Sequence, residues 1–559
     1  MVSMISLPFS MGIAMTSGAP PICGIISAII AGFILPFLGG SYVTISGPAA
    51  GLAPPLFAGM FWLGTVDLGE KATQAQKLAA GYPLLLVAIC LAGGIQLILA
   101  KLKVARLSAI FPAAAIEGML ASIGLLIIAK QIPLFMGQPF EAHEFWSILA
   151  EIPHHLTSMN LQVLGLGLAC TALLFIMSSA PWRLFKLMPP PVWIFALGTI
   201  VSMFFLRLGP SNLINVPDNL LEHGITMPHF GKALANYQFW VPLAYMIFLL
   251  VLIDGTESLA TIAAVDKIDP YKRRSDPDRT LLAMGVSNIA SSGIGGLTII
   301  PGIVKSTANI MGGGRTQWAN FYNACFLSML LIFGRGLINM VPKAVLASIL
   351  AFVGFKLCRP KVWTKIAHIG MEHLIVFVVT VFVTVTTDLL LGIVAGILME
   401  LMIRMWYLGL WISLKDGGSE ASTEPSLFSR FKSLFRNPVS GRKLDGDNYR
   451  LFVNGPLVCF NIFHMIRELG HIPPEAKKIS LHLSPNVPLI DHTTFEYLHY
   501  LEDDLESRTE PIKMHIDGWD HLRPLSRHES SDRVALVSTK SLEEVAHAEE
   551  ELHAMQGAD

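Results

Sequence analysis

The feature that most constrains this chain is a series of long apolar runs that continues to about residue 412. Lipid offers the backbone no hydrogen-bond partner, so a segment that crosses it must form a helix or part of a closed barrel. Runs of this length and composition predict helices. Only 14% of the residues are charged, whereas a soluble domain has about 25%. We therefore expect a polytopic α-helical membrane protein embedded in the lipid bilayer.

The apolar runs divide into about fourteen predicted spans. They lie near residues 3–18, 22–38, 48–60, 80–100, 113–131, 161–179, 190–207, 238–264, 280–292, 302–312, 318–336, 343–357, 372–386 and 389–407. Lysine and arginine collect in cytoplasmic loops, and here the basic clusters follow the even-numbered spans, as in KIDPYKRRSDPDR at residues 267–279. This alternation supports the count. It predicts that the original N-terminus and the segment after the last span are cytoplasmic.

The first run, MVSMISLPFSMGIAM, begins without the basic residues of a signal peptide, so we interpret it as a membrane span. As a helix, residues 1–17 would cover about 25 Å, which is less than the roughly 30 Å of the hydrocarbon core. Either Pro8 breaks this span or a further piece of chain precedes it. We expect the second.

Two stretches interrupt the apolar pattern in the same way. Residues 39–51 read GGSYVTISGPAAG and residues 295–309 read GGLTIIPGIVKSTAN. They precede the third and tenth predicted spans, and this spacing of seven spans makes the second copy inverted in the membrane. Inverted repeats with interrupted helices are typical of secondary transporters, whose site lies where the interruptions meet. The alternative is a pair of glycine-rich packing kinks.

Interrupted helices predict an anion site. The N-terminus of each half-helix presents free N–H groups and a partial positive charge, so two such ends that face each other can bind an anion without a fixed cation. Lys305 lies about one turn after Pro301 and Gly302 on the tenth span. Its amine could add a full positive charge to this site, or it could form an ion pair with Glu257.

The eighth span carries two carboxylates. Asp254 and Glu257 are three residues apart and therefore share one helical face, with Thr261 one turn further along. Ionisable groups within a span are costly and are usually functional. A carboxylate beside a hydroxyl suits a sodium site, and a carboxyl group in a cavity also suits proton transfer. Asp254 could instead cap a helix or face a wet vestibule.

The composition changes near residue 412. Residues 413–448 are polar and basic and contain Gly, Ser and Pro, so we predict a linker. From residue 449 to 559 we predict a small α/β domain, in which YRLFVNG, KKISLHLS and PIKMHIDGW form strands and TTFEYLHYLEDDLES forms a helix. At the start of this helix, Asp491 or Thr493 should act as the cap.

Several function classes are excluded. The net charge of −1 gives no attraction to nucleic acid. None of the six cysteines lies in a C-x-x-C pair, and H-E-x-x-H is absent. We therefore expect no catalytic residues, no enzyme activity, no metal site and no cofactor other than sodium as a coupling ion.

The chain resembles the SulP family of anion transporters, the sulfate permeases, with a C-terminal STAS domain. The motifs that carry the resemblance are LPFSMGIAMTSGAPP (7–21), GGSYVTISGPAAG (39–51), FPAAAIEGMLASIGL (111–125), ESLATIAAVDKIDPYKRR (257–274) and IVKSTANIMGGGRTQ (303–317). The VDKIDPYKR segment is similar to a bacterial branch often associated with bicarbonate. The STAS resemblance rests on residues 479–505.

The resemblance implies a 7+7 inverted-repeat transporter fold, which nucleobase transporters share in outline. All fourteen spans lie within residues 1–412. Spans 1–4 and 8–11 would form a core domain, and spans 5–7 and 12–14 would form a gate domain. The core would carry the anion past the gate like an elevator. The family also implies a homodimer in the cell inner (plasma) membrane.

The resemblance also implies site residues. Ala49, Ala50, Gly302 and Ile303 would face the anion through backbone N–H groups, and Ser10 would line the same cavity. The family's basic residue of the tenth span falls on Lys305. Its sodium-binding acid falls on Glu257 and the partnering hydroxyl on Thr261. Hydroxyl residues often found at the start of the tenth helix are absent here, so only backbone could contact ions at that point.

We therefore expect a secondary active transporter of a small inorganic oxyanion, with bicarbonate first and sulfate second. Sodium or proton coupling would run through Glu257. A nucleobase transporter remains a competing interpretation, which the STAS tail and Lys305 disfavour. The alternative from another class is a non-transporting membrane anchor or anion sensor that signals through the C-terminal domain.

Overall fold

The computed structural model describes most of the chain. The described residues are 2–49, 51–103, 112–140, 142, 144–179, 190–206, 208–215, 226–271, 273–387, 389–415, 427–469, 472–506, 511–518, 521–528 and 530–535. They form two compact units. The first contains Met1–Ser108 and Leu120–Cys358, and the second contains Ala109–Met119 and Arg359–Asp559.

The first unit is helical. Its helices are α1 Val2–Thr16, α2 Pro21–Leu38, α3 Ala53–Leu68, α4 Gln74–Lys101, α5 Ala113–Met136 (whose first residues belong to the second unit), α6 Phe145–His155, α7 Leu161–Ser179, α8 Pro190–Val201, α9 Phe230–Ala235, α10 Trp240–Ile268, α11 Pro277–Gly293, α12 Ile303–Met311, α13 Trp318–Phe333, α14 Arg335–Ile338 and α15 Lys343–Cys358. Each of the first twelve predicted spans contains one of these helices. Two short helices, α6 and α9, lie in connections where we predicted no span, and α14 begins within the last two residues of the eleventh predicted span.

Six helices of the described chain are long and apolar enough to cross a membrane, including α4 and α5, and four more are apolar but shorter. The chain is therefore a multi-pass membrane protein. The count of fourteen spans stays a prediction, because several helices, such as α12, are too short to cross alone.

Two groups of helices pack within the first unit. Helices α1 to α4 pack among α10 to α13, and α7, α8 and α15 pack together around Leu174, Ile194 and Val345. The contact between α4 and α11 is close, since a Cβ added to either Gly93 or Gly285 would lie 2.8 Å from the carbonyl oxygen of the other. Glycine at both positions lets the two backbones touch.

Two short strands interrupt the helical pattern of the first unit. Strand β1 is Ser46–Pro48 and strand β2 is Ile299–Pro301. They pair antiparallel, with Ser46 opposite Pro301 and Pro48 opposite Ile299. Each strand lies immediately before an interrupted helix, β1 before α3 and β2 before α12.

The second unit combines two long apolar helices with an α/β domain. Its elements are helices α16 Pro360–Ile369, α17 Met371–Thr386, α18 Leu389–Lys415, α19 Leu427–Phe435, α20 Ile462–Leu469 and α21 His492–Glu506, and strands β3 Val439–Asp445, β4 Asn448–Val453, β5 Lys478–Leu483, β6 Leu489–Ile490, β7 Lys513–Asp517, β8 Leu522–Pro524 and β9 Arg533–Ala535. One sheet has the order β3-β4-β5-β7, and a second has the order β6-β9-β8. Helices α17 and α18 occupy the last two predicted spans.

The predicted strands and helix of the α/β domain are present. Residues of β4 alternate between the core and the surface, and Leu451, Leu481 and Leu498 lie in the domain core. Asp491 caps α21, since its Oδ1 accepts from the N–H of Thr494 at 2.8 Å. This confirms the predicted helix cap.

The predicted linker at 413–448 needs a correction. Residues 427–435 form α19, and residues 439–445 form β3, an edge strand paired with β4. The polar composition misled the prediction because most β3 side chains are exposed, and an edge strand tolerates charged residues. Residues 416–426 of the predicted linker lie outside the described residues.

A buried ion-pair cluster lies between α18 and the α/β domain. Arg404 of α18 has no exposed surface, and its guanidinium donates to Glu400 and to Asp532. Asp532 also pairs with His373 of α17 at 3.1 Å and accepts the backbone N–H of His492 at 2.7 Å. We call these residues (His373, Glu400, Arg404, Asp532) the Arg404 cluster.

Asp532 is charged in this environment. Burial by itself raises its pKa, but the nearby charges of Arg404 and His373 more than offset this effect, so the pKa of Asp532 lies below its ordinary value of 3.8. A carboxylate with a lowered pKa stabilises the fold fully above that ordinary value. The stabilisation is lost as the pH falls through the pKa of the folded state.

We expect Asp532→Ala to lower the free energy of unfolding by about 3–5 kcal/mol, because it leaves the buried Arg404 without one partner. The matched control is Asp445→Ala, which removes an exposed pair with Arg450 and should cost about 0–1 kcal/mol. Unfolding of the detergent-solubilised chain measures both. Equal small losses would show that Asp532 does not stabilise Arg404.

Candidate functional site

The two interrupted segments meet in the first unit, as their matched spacing predicts. Besides the β1–β2 pairing, the N–H of Ala49 donates to the carbonyl of Thr298 at 3.3 Å, and the N–H of Gly302 donates to the carbonyl of Ile45 at 2.9 Å. Helices α3 and α12 therefore start on either side of one small antiparallel ladder.

Side chains from neighbouring helices satisfy the non-helical backbone around β2. Ser27 of α2 accepts the N–H of Leu297 at 2.7 Å, and Asn288 of α11 accepts the N–H of Ile299 at 2.7 Å. Ser291 donates to the carbonyl of Leu297 at 2.7 Å. Such partners are what non-helical backbone within a membrane requires.

The segment before β1 is satisfied in the same way. Ser306 of α12 accepts the N–H of Ile45 at 2.9 Å, and Asn309 donates to the carbonyl of Val43 at 3.0 Å. Asn320 of α13 accepts the N–H of Ser46 and donates to the carbonyl of Thr44, each at 3.4 Å. The segment before β1 is thus held by polar side chains from the second half of the repeat. The segment around β2 is held by Ser27 from the first half and by Asn288 and Ser291 from its own half.

The prediction that Ala49 and Gly302 offer their N–H groups to an anion is wrong for this conformation, because both groups already donate across the ladder. Ala50 lies outside the described residues. At the start of α3, Pro54 and Pro55 have no N–H to offer. The first turn of α12 offers other amide donors, because its N–H groups have no partner within the helix.

The start of α12 is accessible. Ile303, its first residue, is 43% exposed, although the strand before it is buried. The N–H groups of Ile303, Val304 and Lys305 make up this first turn. A positive helix end in an accessible position is a suitable place for an anion.

The amine of Lys305 lies against the ladder without a partner. The residue is 3% exposed, and its Nζ has no hydrogen-bond partner among the described residues. A Cβ added to Gly47 would overlap this Nζ, so glycine at position 47 leaves room for the amine. The pairing of Lys305 with Glu257, which the sequence left open, is not formed among the described residues.

Glu257 lies on α10 against the other end of the same segment. The backbone N–H of Gly51 faces its carboxyl group, and its Oε2 is buried with no partner among the described residues. A Cβ added to Gly51 would overlap Oε2. The five residues from Gly47 to Gly51 therefore have an unpartnered amine at one end and an unpartnered carboxylate oxygen at the other.

The other predicted residues lie nearby but differ in their surroundings. Ser10 of α1 is fully buried, and its Oγ has no partner in the described part of the chain. Helix α1 packs against β1 and α12. Thr261 follows Glu257 by one turn on α10 and is partly buried.

Asp254 has a complete set of hydrogen bonds. Its Oδ2 accepts from Gln96 and Asn288, each at 2.7 Å, and from Thr298 at 3.2 Å, while its Oδ1 accepts from Ser258 at 3.2 Å. The residue is 1% exposed. It shares a helix with Glu257 but lies in a separate, closed network.

Sequence reasoning missed the polar side chains that hold the ladder. They share one signal, a position inside an otherwise apolar predicted span, and they are Ser27, Gln96, Asn288, Ser306, Asn309 and Asn320. Their partners are distant in sequence, as with Ser27 and Leu297, which are 270 residues apart. The signal marks them as candidates, but their partners require the three-dimensional structure.

Sequence spacing also missed two groups with metal-ligand geometry in the second unit. Glu372, His373 and Asp532 form one, and Glu400, Cys459 and Asp491 the other, with ligand atoms within 4.8 Å of one another in each. Arg404 donates to a carboxylate of each group and offsets part of the charge that would attract a metal ion.

A match to a family profile identifies the family of the chain. The profile of the sulfate permease family matches residues 1–380. The chain belongs to the sulfate permease family. It is therefore a membrane transporter for anions and not an enzyme, and the resemblance of its motifs to this family is confirmed. The assignment of the α/β domain as a STAS domain stays a prediction.

Members of the sulfate permease family with about a quarter of their residues identical cover most of the chain. YvdB of Bacillus subtilis, named as a candidate sulfate transporter, is 24% identical over 407 residues, which is 71% of both chains. BicA of a Picosynechococcus strain, named as a bicarbonate transporter, is 24% identical over 398 residues and covers 71% of this chain and 67% of that protein.

Solved structures of the sulfate permease family and its relatives show the same fold. The transmembrane domain of a cyanobacterial bicarbonate transporter BicA superposes with a TM-score of 0.60 at 21% identity, covering 71% of this chain and 95% of that one. The murine anion transporter Slc26a9 in its inward-facing state gives a TM-score of 0.62 at 14% identity, covering 98% and 86%. At these identities the likeness establishes the fold, a polytopic helical transporter.

We expect Gly47→Ala to raise the anion KM by about tenfold, because the new methyl group displaces the Lys305 amine. The amine is the end of a flexible side chain, so the thermal unfolding midpoint should change little. Lys305→Ala should raise KM by about 10- to 100-fold, since hydrogen bonds to charged groups contribute about 1.5–3 kcal/mol. Uptake kinetics measure both.

The control for this glycine is Gly94→Ala on α4, where nothing lies within 4 Å of an added Cβ. It should transport normally. Normal KM values in both Gly47→Ala and Lys305→Ala would exclude the amine from the anion site.

Proposed function

We propose that this protein is a secondary active transporter of a small inorganic oxyanion, with bicarbonate as the first choice and sulfate as the second. The observation that carries the proposal is the β1–β2 ladder with an unpartnered charged group at each end of residues 47–51. The name of BicA as a bicarbonate transporter supports the first choice. The family description supports the second.

The anion would bind at the start of α12. Its oxygens would accept from the N–H groups of Ile303, Val304 and Lys305, where the helix end carries a partial positive charge. The Lys305 amine, buried and without a partner, would supply the full charge. The unpartnered hydroxyl of Ser10 would donate from α1, and Ala50 completes the predicted set.

The coupling cation, sodium or a proton, would bind at Glu257, with Thr261 as the second oxygen ligand. A buried carboxylate oxygen without a partner is costly unless something binds it. Gly47 lies against the Lys305 amine and Gly51 against the Glu257 carboxylate. An ion bound at either group would therefore stabilise the same stretch of backbone that lies beside the other group. This shared backbone gives a physical route for coupling, since two ligands that favour one conformation raise each other's affinity.

Transport would follow an elevator mechanism. The packing of α1 to α4 among α10 to α13 supports a core that moves as one body with both ions. Spans 5–7 and 12–14 would form the gate. We also propose a homodimer in the inner (plasma) membrane, with the α/β domain of the second unit as a cytoplasmic STAS domain.

A second candidate function is an anion sensor that signals through the α/β domain. The Arg404 cluster favours it, because it connects α18 directly to that domain. A sensor would bind the anion without net flux. The Lys305 amine disfavours a nucleobase transporter, since a neutral base needs no buried cation.

Flux across vesicle membranes tests the proposal. Purified protein in liposomes should carry labelled bicarbonate, with sulfate next and chloride least, and an inward sodium or proton gradient should increase uptake. Anion binding without flux would support the sensor instead. Absence of both binding and flux for every anion would reject the proposed function.

We expect Glu257→Gln to abolish coupled uptake while the protein still folds, because the amide keeps the shape of the side chain and removes its charge. The measurement is uptake as a function of sodium concentration and of pH. Exposed Glu144 provides the control, and Glu144→Gln should leave both dependences unchanged. Full uptake by Glu257→Gln with unchanged sodium and pH dependence would exclude the coupling role.

A further inference from the structure

We propose that Asp254 is a positioning residue that holds strand β2 in place for anion binding and does not bind the coupling cation. This inference rests on the proposed function and deepens it. It separates the two carboxylates of α10, Asp254 and Glu257, which their spacing in the sequence had grouped at one cation site.

The Asp254 carboxylate is occupied by hydrogen bonds. Its Oδ2 accepts from Gln96, Asn288 and Thr298, more than the two lone pairs of one oxygen, and its Oδ1 accepts from Ser258. A cation bound across both oxygens would have to displace donors that are themselves buried. Glu257 differs, because its Oε2 has no partner among the described residues.

Two side chains connect Asp254 to β2. Thr298 immediately precedes β2 and donates to Asp254 at 3.2 Å. Asn288 donates to the same oxygen, and its own Oδ1 accepts the N–H of Ile299, the first residue of β2. The donors come from α4, α10, α11 and the segment before β2, so one carboxylate connects three helices to the ladder.

The position of Thr298 also sets the position of the proposed anion site. The carbonyl of Thr298 accepts the N–H of Ala49, and α12 begins two residues after the end of β2. A shift of Thr298 therefore moves both the ladder and the N–H groups at the start of α12. Asp254 acts on the anion through this backbone and has no contact with the anion itself.

The decisive variant is Asp254→Asn, which removes the charge and can keep the bonds. Its Oδ1 can replace Oδ2 as acceptor for Gln96, Asn288 and Thr298, and its amide can donate to the Ser258 hydroxyl, which both donates and accepts. We expect an anion KM within about twofold of the unmodified protein and an uptake that still depends on sodium, with a shifted half-saturation because the Asp254 charge acts on Glu257. Asp254→Ala, which removes all four acceptor positions, should raise the anion KM by about tenfold or more, with the same sodium half-saturation as Asp254→Asn.

A second pair of variants, with smaller changes, tests the inference if Asp254→Ala fails to fold. Thr298→Val removes only the hydroxyl before β2 and should raise the anion KM about three- to tenfold. Its control is Thr256→Val on α10, whose hydroxyl donates to Leu252 within its own helix and whose loss should leave KM unchanged. The rescue by asparagine and the separation of anion KM from sodium half-saturation distinguish positioning from a general loss of structure.

The outcomes separate this inference from the proposed function. Loss of sodium or proton dependence in Asp254→Asn, with Glu257→Gln behaving alike, would make Asp254 a cation ligand and overturn the inference. An unchanged KM in both Asp254→Ala and Thr298→Val would also overturn it. Both results leave transport by the unmodified protein intact, whereas absence of flux in the unmodified protein would reject the proposed function.

Discussion

The antiparallel pairing of β1 with β2 is the contact on which the rest of the first unit depends. Two interrupted helices within a membrane leave backbone groups that lipid cannot satisfy. The ladder pairs some of these groups with each other, and Ser27, Asn288 and Ser306 satisfy others. The polar residues of the first unit therefore include some that hold this ladder and others, such as Lys305 and Glu257, that keep an unpartnered polar atom among the described residues.

The proposed ion sites rest on two charged groups that have no partner. Buried polar atoms almost always have a partner, yet Lys305 Nζ and Glu257 Oε2 have none among the described residues. Glycine at positions 47 and 51 allows the two side chains to approach the backbone there. In the proposed function, each of these charged groups would bind an ion of opposite sign.

The sequence predicted the architecture well because its signals are local or periodic. Apolar runs located the helices, the matched spacing of two glycine pairs predicted that the interruptions meet, and the α/β pattern after residue 449 was present. The predictions that failed concerned hydrogen-bond partners. The positions of Ala49 and Gly302 before helices predict free N–H groups. In the structure these groups donate to carbonyl groups of a segment about 250 residues away. The edge strand β3 was missed because its charged side chains are typical of linkers as well as of exposed edges.

The Arg404 cluster has a consequence for the order in which the chain is made. Arg404 lies in α18, and its partner Asp532 follows 128 residues later. While the ribosome is still producing the α/β domain, α18 has only Glu400 to neutralise a guanidinium that is fully buried in the finished protein. The Arg404 cluster is therefore complete only after residue 532 has been synthesised and the α/β domain has folded. A nascent chain that stops before residue 532 leaves Arg404 without its pair to Asp532.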